Sequence, residues 1–166
     1  MTVMKKYIVI MTMVLAALIC LSGCGESTVE ASNHERPILN LCLSLEHSDA
    51  QTYLSCFVPA AKAEYLRSSS SGSDDIIKTV QKNSGLEGSE KLTYEIIGKI
   101  ELASAEREKL QKQYKSKYSK NVTIEKAFQI DANISTSKKS DLRRFTTVLI
   151  DGSWYIFGDV IEKFKF

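Results

Sequence analysis

The chain has few of the side chains on which metal sites and acid–base catalysis depend. Its 166 residues include only 2 histidines and 4 cysteines. His34 lies in a polar segment and His47 at a predicted turn, and the apolar surroundings of Cys20 offer no further zinc ligands. Ser-His-Asp arrangements and glycine-rich phosphate loops are also missing. We therefore expect no catalytic residues, no metal and no cofactor.

The sequence also lacks an apolar run that is long enough to span a membrane. The longest run, Tyr7 to Leu21, has about 15 residues, whereas a membrane-spanning helix needs about 20. Lys5 and Lys6 precede this run, and a short positive segment followed by an apolar one is typical of a secretory signal peptide. An uncleaved membrane anchor is the alternative.

The apolar run ends in a motif that resembles the lipobox of bacterial lipoproteins, in which small residues precede a cysteine. The resemblance implies that the thiol of Cys24 carries a diacylglyceryl group and that the peptide before it is removed. It also implies a signal-peptidase motif, which consists of Leu21, Ser22 and Gly23. We expect a lipid anchor on the extracytoplasmic face of the cell membrane, or on the outer membrane if the organism has two membranes.

Length and charge limit what the chain can be once the predicted signal peptide has been removed. Residues 1–23 contain two lysines and no acidic residue, so their removal leaves 20 basic and 20 acidic side chains. This balance argues against a nucleic-acid partner, which usually requires a basic surface. The polar residues 24–36 are interpreted as a tether, and residues 37–166 suffice for a single domain.

Two cysteines remain in that domain. Cys42 and Cys56 lie symmetrically about residue 49, where the sequence predicts a turn between two helices. A disulfide between them fits this placement, and an exported compartment permits one. Two separate thiols that pack as small apolar side chains are the alternative.

The first half of the domain is predicted to be helical. Apolar residues follow a helical spacing from Pro37 to Leu45, and the SDAQ motif at residues 48–51 is typical of a helix start. Pro59 is expected to kink or end the second helix. A third helix is predicted over residues 74–82, with Gly85 as its terminator.

The second half changes to a period of two, which is typical of strands with one apolar face. Strands are predicted over residues 92–102 and 122–134, with the even-numbered side chains inward. A charged helix over residues 104–118 lies between them, with lysines near its end as the helix dipole favours. The second strand is too long to stay straight, and Lys126 interrupts its apolar face, so a β-bulge is predicted there.

A β-hairpin closes the chain. Asp-Gly at residues 151–152 predicts a type I′ turn between strands over residues 142–150 and 153–160. Both faces of this hairpin are apolar, so something must cover each of them. A partner could do so, and so could the chain's own Phe164 and Phe166.

This order of elements resembles the cystatin-like α+β cone of the nuclear-transport-factor-2-like superfamily. The matching stretches are SDAQTYLSCF, LTYEIIGK, the charged helix and IDGSWYIFGDV. More narrowly, the chain is similar to small lipoproteins of Firmicute type that carry such a domain and have no assigned function. The resemblance implies N-terminal helices packed on a curved four-stranded antiparallel sheet, with a ligand-sized cavity between helices and sheet. The fold alone does not choose between enzyme and binding module.

Few residues of the domain stand out as candidate sites. Lys126 is interpreted as a bulge lysine, with an anion-binding group as the alternative. The lysines of residues 107–120 are interpreted as a solvated helix face, with contact to anionic lipid as the alternative. Trp154, Tyr155 and Phe157 are candidates for an interface with a protein partner or a second copy.

We expect a membrane-anchored binding or interaction module rather than an enzyme. The strand carboxylates Glu95, Glu101, Glu125 and Asp131 fall on predicted solvent-side positions, where they are poorly placed for acid–base chemistry. The rival function is an isomerase- or hydrolase-like enzyme that uses the cavity. A third candidate is an envelope-stress or immunity-type structural protein.

Overall fold

The structure is a computed structural model. It describes residues 32–69, 72–73, 75–86, 90–161 and 164. Within these residues the chain is an α+β protein with five helices and one four-stranded antiparallel sheet. None of the helices in this part is long and apolar enough to cross a membrane. The predicted signal peptide, its cleavage motif and the predicted lipidation site Cys24 lie outside the described residues.

Four helices precede the sheet, and a fifth connects its first two strands. They are α1 (Arg36–His47), α2 (Ala50–Ser55), α3 (Pro59–Ser68), α4 (Asp75–Ser84) and α5 (Ser104–Tyr118). Prolines open α1 and α3. At the start of α2, the carboxylate of Asp49 accepts hydrogen bonds from the N–H groups of Gln51 and Thr52. The predicted helix start at residues 48–51 is confirmed, and Pro59 begins a new helix.

The sheet is a meander in which each strand pairs with the next one along the chain. Its strands are β1 (Thr93–Glu101), β2 (Lys126–Ser135), β3 (Ser140–Ile150) and β4 (Ser153–Ile156), in that order. Asp151 and Gly152 have φ angles of 48° and 73°, as a type I′ turn requires. The register that a two-residue turn imposes is confirmed, since Leu149 pairs with Trp154.

The β-bulge lies in β1, between Ile96 and Gly98, where Ile97 has no partner on β2. The prediction of a bulge at Lys126 was therefore wrong. Lys126 is the first residue of β2 and is exposed. Because residues 122–125 are not part of the strand, β2 has 10 residues rather than the predicted 13, and this shorter strand does not need a bulge to fit the domain.

The bulge changes which side chains of β1 face inward. Up to Ile96 the even-numbered positions are the more buried ones, as predicted. Beyond the extra residue, Lys99 pairs with the buried Ile130 and therefore shares its face. Ile100 is turned outward and is 67% exposed. One inserted residue thus exchanges a predicted apolar inward position for a charged one.

Other segments of the chain pack on both faces of the C-terminal hairpin. On one face α1 contacts β4, and the rings of His34 and Phe128 lie 5.8 and 5.7 Å from that of Trp154. On the other face, Tyr114 of α5 packs against Phe157, with ring centroids 6.4 Å apart. Helices and loops of the same chain therefore supply part of the predicted cover, and Trp154, Tyr155 and Phe157 stay half-buried.

Two further segments pack beside the sheet. Ile156 N–H donates to the carbonyl of Cys56 at 2.7 Å, so the link between α2 and α3 lies along the β4 edge. Phe164 is buried, its N–H donates to Ser84 Oγ of α4, and its ring lies under the guanidinium of Arg143. Phe166, the other predicted cover, lies outside the described residues.

The buried core draws on α1, α2, α4 and the inward faces of β2 and β3. Its largest fully buried side chains are Tyr53, Phe57, Ile38, Leu41, Leu45, Leu54, Ile76, Ile130, Ile134 and Ile156. The hydroxyl of Tyr53 donates a hydrogen bond to the carbonyl of Val160 at 2.8 Å, so the only large polar group of this set is paired with the segment after β4.

Candidate functional site

A cleft of about 500 Å³ lies between α3, the end of α5 and the segment after β4. Apolar and aromatic side chains form part of its lining: Ala61, Tyr65, Tyr118, Val160 and Ile161. Charged side chains form another part: Glu64, Arg67, Lys117 and Asp159. Such a lining suits a ligand that has an apolar body and polar or charged groups.

A second cleft, of about 410 Å³, adjoins the first. The two share Lys117, Tyr118 and Asp159, and the second continues to Gln113 on α5 and to Phe157 after β4. We call the two clefts together the α3–α5 groove. The groove thus combines three segments that are far apart in the sequence.

An ion pair crosses the groove where the two clefts meet. The ammonium group of Lys117 donates a hydrogen bond to Asp159 Oδ1 at 2.5 Å, and this bond raises the pKa of Lys117. Lys117 Nζ also lies 5.4 Å from the centroid of the Tyr118 ring. Both partners of the pair are largely exposed, so the pair contributes little to stability and can open for a ligand at a small cost.

Two tyrosines of α5 form an aromatic wall beside the groove. Tyr114 and Tyr118 are four residues apart and share one face of the helix, with ring centroids separated by 5.0 Å. Burial raises the pKa of both phenols, so both are neutral at neutral pH. Together with the half-buried Leu110, the two tyrosines form a narrow apolar stripe along this otherwise charged helix.

The groove can hold and orient a molecule, and one of its two carboxylates is already held in an ion pair. Asp159 is bound to Lys117, and Glu64 is half-buried in the lining. Over the described part of the chain, no three His, Cys, Asp or Glu side chains are grouped so that they could hold a metal ion.

The predicted site residues lie apart from one another. Lys126 is exposed at the start of β2 and does not line the groove. Trp154, Tyr155 and Phe157 are half-buried. Of these, Phe157 lines the groove, while Trp154 lines a separate polar cleft of about 360 Å³ beside the start of α1. The structure therefore brings one of the four into the groove.

The two cysteines of the domain are free thiols in the structure. Both are buried, and burial raises the pKa of Cys42 and of Cys56 to about 12. The thiol of Cys56 donates to the carbonyl of Thr52 within its own helical turn. This arrangement corresponds to the second alternative from the sequence, in which the cysteines pack as small apolar side chains.

A charged cluster on the inner side of β1 was not predicted. Glu35, only 8% exposed, accepts a hydrogen bond from the ammonium group of Lys99 at 2.9 Å. Next to it, the ring of His34 stacks on Phe128 with centroids 4.2 Å apart. Burial lowers the pKa of His34. Residues 32–36, interpreted from the sequence as the end of the tether, thus contact the sheet.

No local pattern points to this cluster. The segment before Pro37 is polar and has no periodicity, and Lys99 stands at an odd-numbered position that the alternation assigns to solvent. Lys99 turns inward because Ile97 is inserted between the paired residues of β1.

Comparisons of the chain with family models and with curated proteins find no match.

Proposed function

We propose that the protein is a lipoprotein anchored through Cys24 to the extracytoplasmic face of the cell membrane, and that its domain is a binding module rather than an enzyme. The proposed ligand is a small amphipathic molecule, with an apolar body and at least one charged group. The proposed site is the α3–α5 groove. A nucleic-acid partner is not proposed.

The lining of the groove is the observation that carries the proposal. Tyr65, Tyr118 and Ile161 offer apolar area, while Arg67 and the Lys117–Asp159 pair offer charges of both signs. Ligand sites of small molecules commonly combine a mainly apolar lining with a few polar groups that fix orientation. Asp159 is already engaged by the ammonium group of Lys117, and a carboxylate that is held in an ion pair favours binding over catalysis.

The proposed fold is a cystatin-like cone, with the helices on one side of a curved sheet. Support comes from the element order, four helices followed by a meander whose first connection is helical. The anchor is supported by the lipobox resemblance of residues 21–24.

The anchor is tested by comparing two cysteine substitutions in the full-length chain. Cys24→Ala should abolish incorporation of labelled palmitate and release the protein from the membrane fraction. Cys20→Ala is the matched control and should leave both unchanged, since Cys20 would be removed with the signal peptide. Palmitate labelling that survives Cys24→Ala contradicts the proposal.

The groove is tested with 8-anilinonaphthalene-1-sulfonate, an amphipathic anion that fluoresces in apolar sites. Ser68 is exposed at the end of α3 and lines the groove, so Ser68→Trp should fill part of it and weaken dye binding at least about fivefold. Ser137→Trp, in the exposed turn between β2 and β3, is the control and should bind the dye normally. Equal dissociation constants for the two variants would count against the groove as the site.

A further inference from the structure

The helix α5 carries an exposed cationic face. Lys109, Lys112 and Lys115 are exposed on the helix, and Lys120 is exposed just after its end. Within the part of the chain that the structure describes, their ammonium groups form no ion pair and no side-chain hydrogen bond. These four charges are therefore available to an external partner.

Most of the other charges on this helix are already engaged. The carboxylate of Glu106 accepts a hydrogen bond from Ala103 N–H at 2.9 Å and closes the first turn. Arg107 donates to the carbonyl of Leu102, and Lys117 is bound to Asp159. On α5 and the turn after it, six basic side chains therefore outnumber the two carboxylates of Glu106 and Glu108. Because residues 24–166 have equal numbers of acidic and basic side chains, the charge of the domain is unevenly distributed.

Two lysines of the cationic face lie on the side of the helix opposite the packed face. Tyr114 is buried, and Leu110 and Tyr118 beside it are half-buried. With 3.6 residues per turn, Lys109 and Lys112 lie on the side away from Tyr114. The lysines can therefore approach an external surface without any change in how α5 packs on the domain.

We infer, on the basis of the proposed anchor at Cys24, that this face of α5 docks on anionic phospholipid headgroups. Cys24 precedes Ser32, the first described residue, by eight positions, and eight residues reach at most about 29 Å. An anchored domain is thus kept beside the membrane, where each lysine near an anionic surface adds electrostatic attraction. Lysine ammonium groups are compact point charges on flexible stems, which suits mobile headgroups.

Docking through α5 would also orient the binding site. Lys117 and Tyr118, at the end of the same helix, line the α3–α5 groove. The groove would then open close to the headgroup region, where an amphipathic ligand partitions.

The test uses the lipidated full chain in nanodiscs of two compositions, pure phosphatidylcholine and phosphatidylcholine with about one third phosphatidylglycerol. The measured quantity is the acetylation rate of each lysine, followed by mass spectrometry. We expect Lys109 and Lys112 to react about fivefold more slowly in the anionic discs, and high salt to remove this protection. Lys138 and Lys139, exposed in the β2–β3 turn, should react equally in both.

Two charge-reversal variants separate the specific face from net charge. Lys109→Glu combined with Lys112→Glu should abolish the protection of Lys115, whereas Lys138→Glu with Lys139→Glu makes the same charge change and should preserve it. All four residues are exposed, so both variants should unfold at the temperature of the parent.

The outcomes distinguish the docking from the anchor. An anchored chain whose lysines react at the same rate in both discs overturns the docking and leaves the anchor intact. Uniform protection of all lysines also overturns the docking. Equal loss of Lys115 protection in the two charge-reversal variants does so as well. A chain that does not remain with discs of either composition overturns the anchor, and the docking with it.

Discussion

The carboxylate of Glu35 has two donors, the ammonium group of Lys99 at 2.9 Å and the N–H of Ser32 at 3.3 Å. A buried charge is costly unless such partners compensate for the water it has lost. The side chain of Lys99 keeps 45% of its surface exposed, which limits the desolvation that the pair must offset. The Glu35–Lys99 pair therefore links the segment before α1 to β1, with a moderate net gain in stability.

Removal of the lysine should expose the cost of the buried carboxylate. Lys99→Met keeps the apolar stem and leaves Glu35 with the Ser32 N–H and the His34 ring at 3.5 Å, so we expect a loss of about 1–3 kcal/mol in the free energy of unfolding. Denaturant titration measures it. Lys91→Met, at an exposed position before β1, is the control and should change less than about 0.5 kcal/mol. Equal effects of the two substitutions would show that the Glu35–Lys99 bond does not stabilise the fold.

His34 should make stability depend on pH. Burial against Phe128 and Trp154 lowers its pKa below the ordinary value of 6.5, despite the opposing influence of the nearby Glu35 and Glu101 carboxylates. A lowered pKa means that the unfolded chain binds more protons, so the stabilisation is present above about pH 6.5 and is lost as the pH falls from there through the folded-state pKa.

The measurement compares the free energy of unfolding at pH 7.5 and 5.5 for the parent and for His34→Phe, which retains an aromatic ring on Phe128. The variant should lose less stability on acidification than the parent does. His47→Phe, at an exposed helix end, should behave as the parent. A parent and a His34→Phe variant with the same pH dependence would contradict the role of His34.

At the scale of the elements, the hairpin turn and the β-bulge differ in origin. The Asp151–Gly152 turn follows from local chemistry, because a type I′ turn needs positive φ angles that glycine adopts freely. The bulge at Ile97 has no such local requirement: Gly98 has no positive φ, and a Cβ at that position would meet nothing within 4 Å. The hairpin could accordingly be predicted in type and register, whereas the bulge was predicted in the wrong strand.

This contrast makes a pair of glycine substitutions informative. Gly152→Ala should destabilise the domain by about 1–2 kcal/mol, because φ is +73° there and a Cβ disfavours that conformation even though no atom obstructs it. Gly98→Ala should be neutral or slightly stabilising, because it reduces the freedom of the unfolded chain without strain. The midpoints of thermal or denaturant unfolding of the two variants measure these stability changes. A larger cost at Gly98 than at Gly152 would mean that the bulge, and not the turn, depends on glycine.

At the scale of the whole molecule, the reactivity of the two thiols measures how often the helices separate from the core. Cys42 on α1 and Cys56 after α2 are 1% and 3% exposed, and their pKa values are raised to about 12. A thiol in this state is neither ionised at neutral pH nor accessible to a reagent. Reaction therefore requires the helices to separate from the core.

We expect the native protein to react with dithionitrobenzoate only at the rate at which it unfolds, and both thiols to react at once in denaturant. Raising the denaturant concentration should accelerate the reaction in parallel with unfolding measured by circular dichroism. Fast reaction of either thiol in the native state would contradict the burial. A denatured chain without reactive thiols would instead identify the disulfide that the sequence also allows.

The sequence by itself determined what depends on near neighbours along the chain: the helix start at Asp49, the extent of α5 and the hairpin register. These follow from sterics, periodicity and capping, which act within a few residues. The tertiary structure decided the bulge at Ile97, the inward turn of Lys99 towards Glu35 and the groove between α3 and α5. Each of these brings together residues far apart in sequence, and the competition among their burial, packing and pairing energies is settled only once the chain has folded.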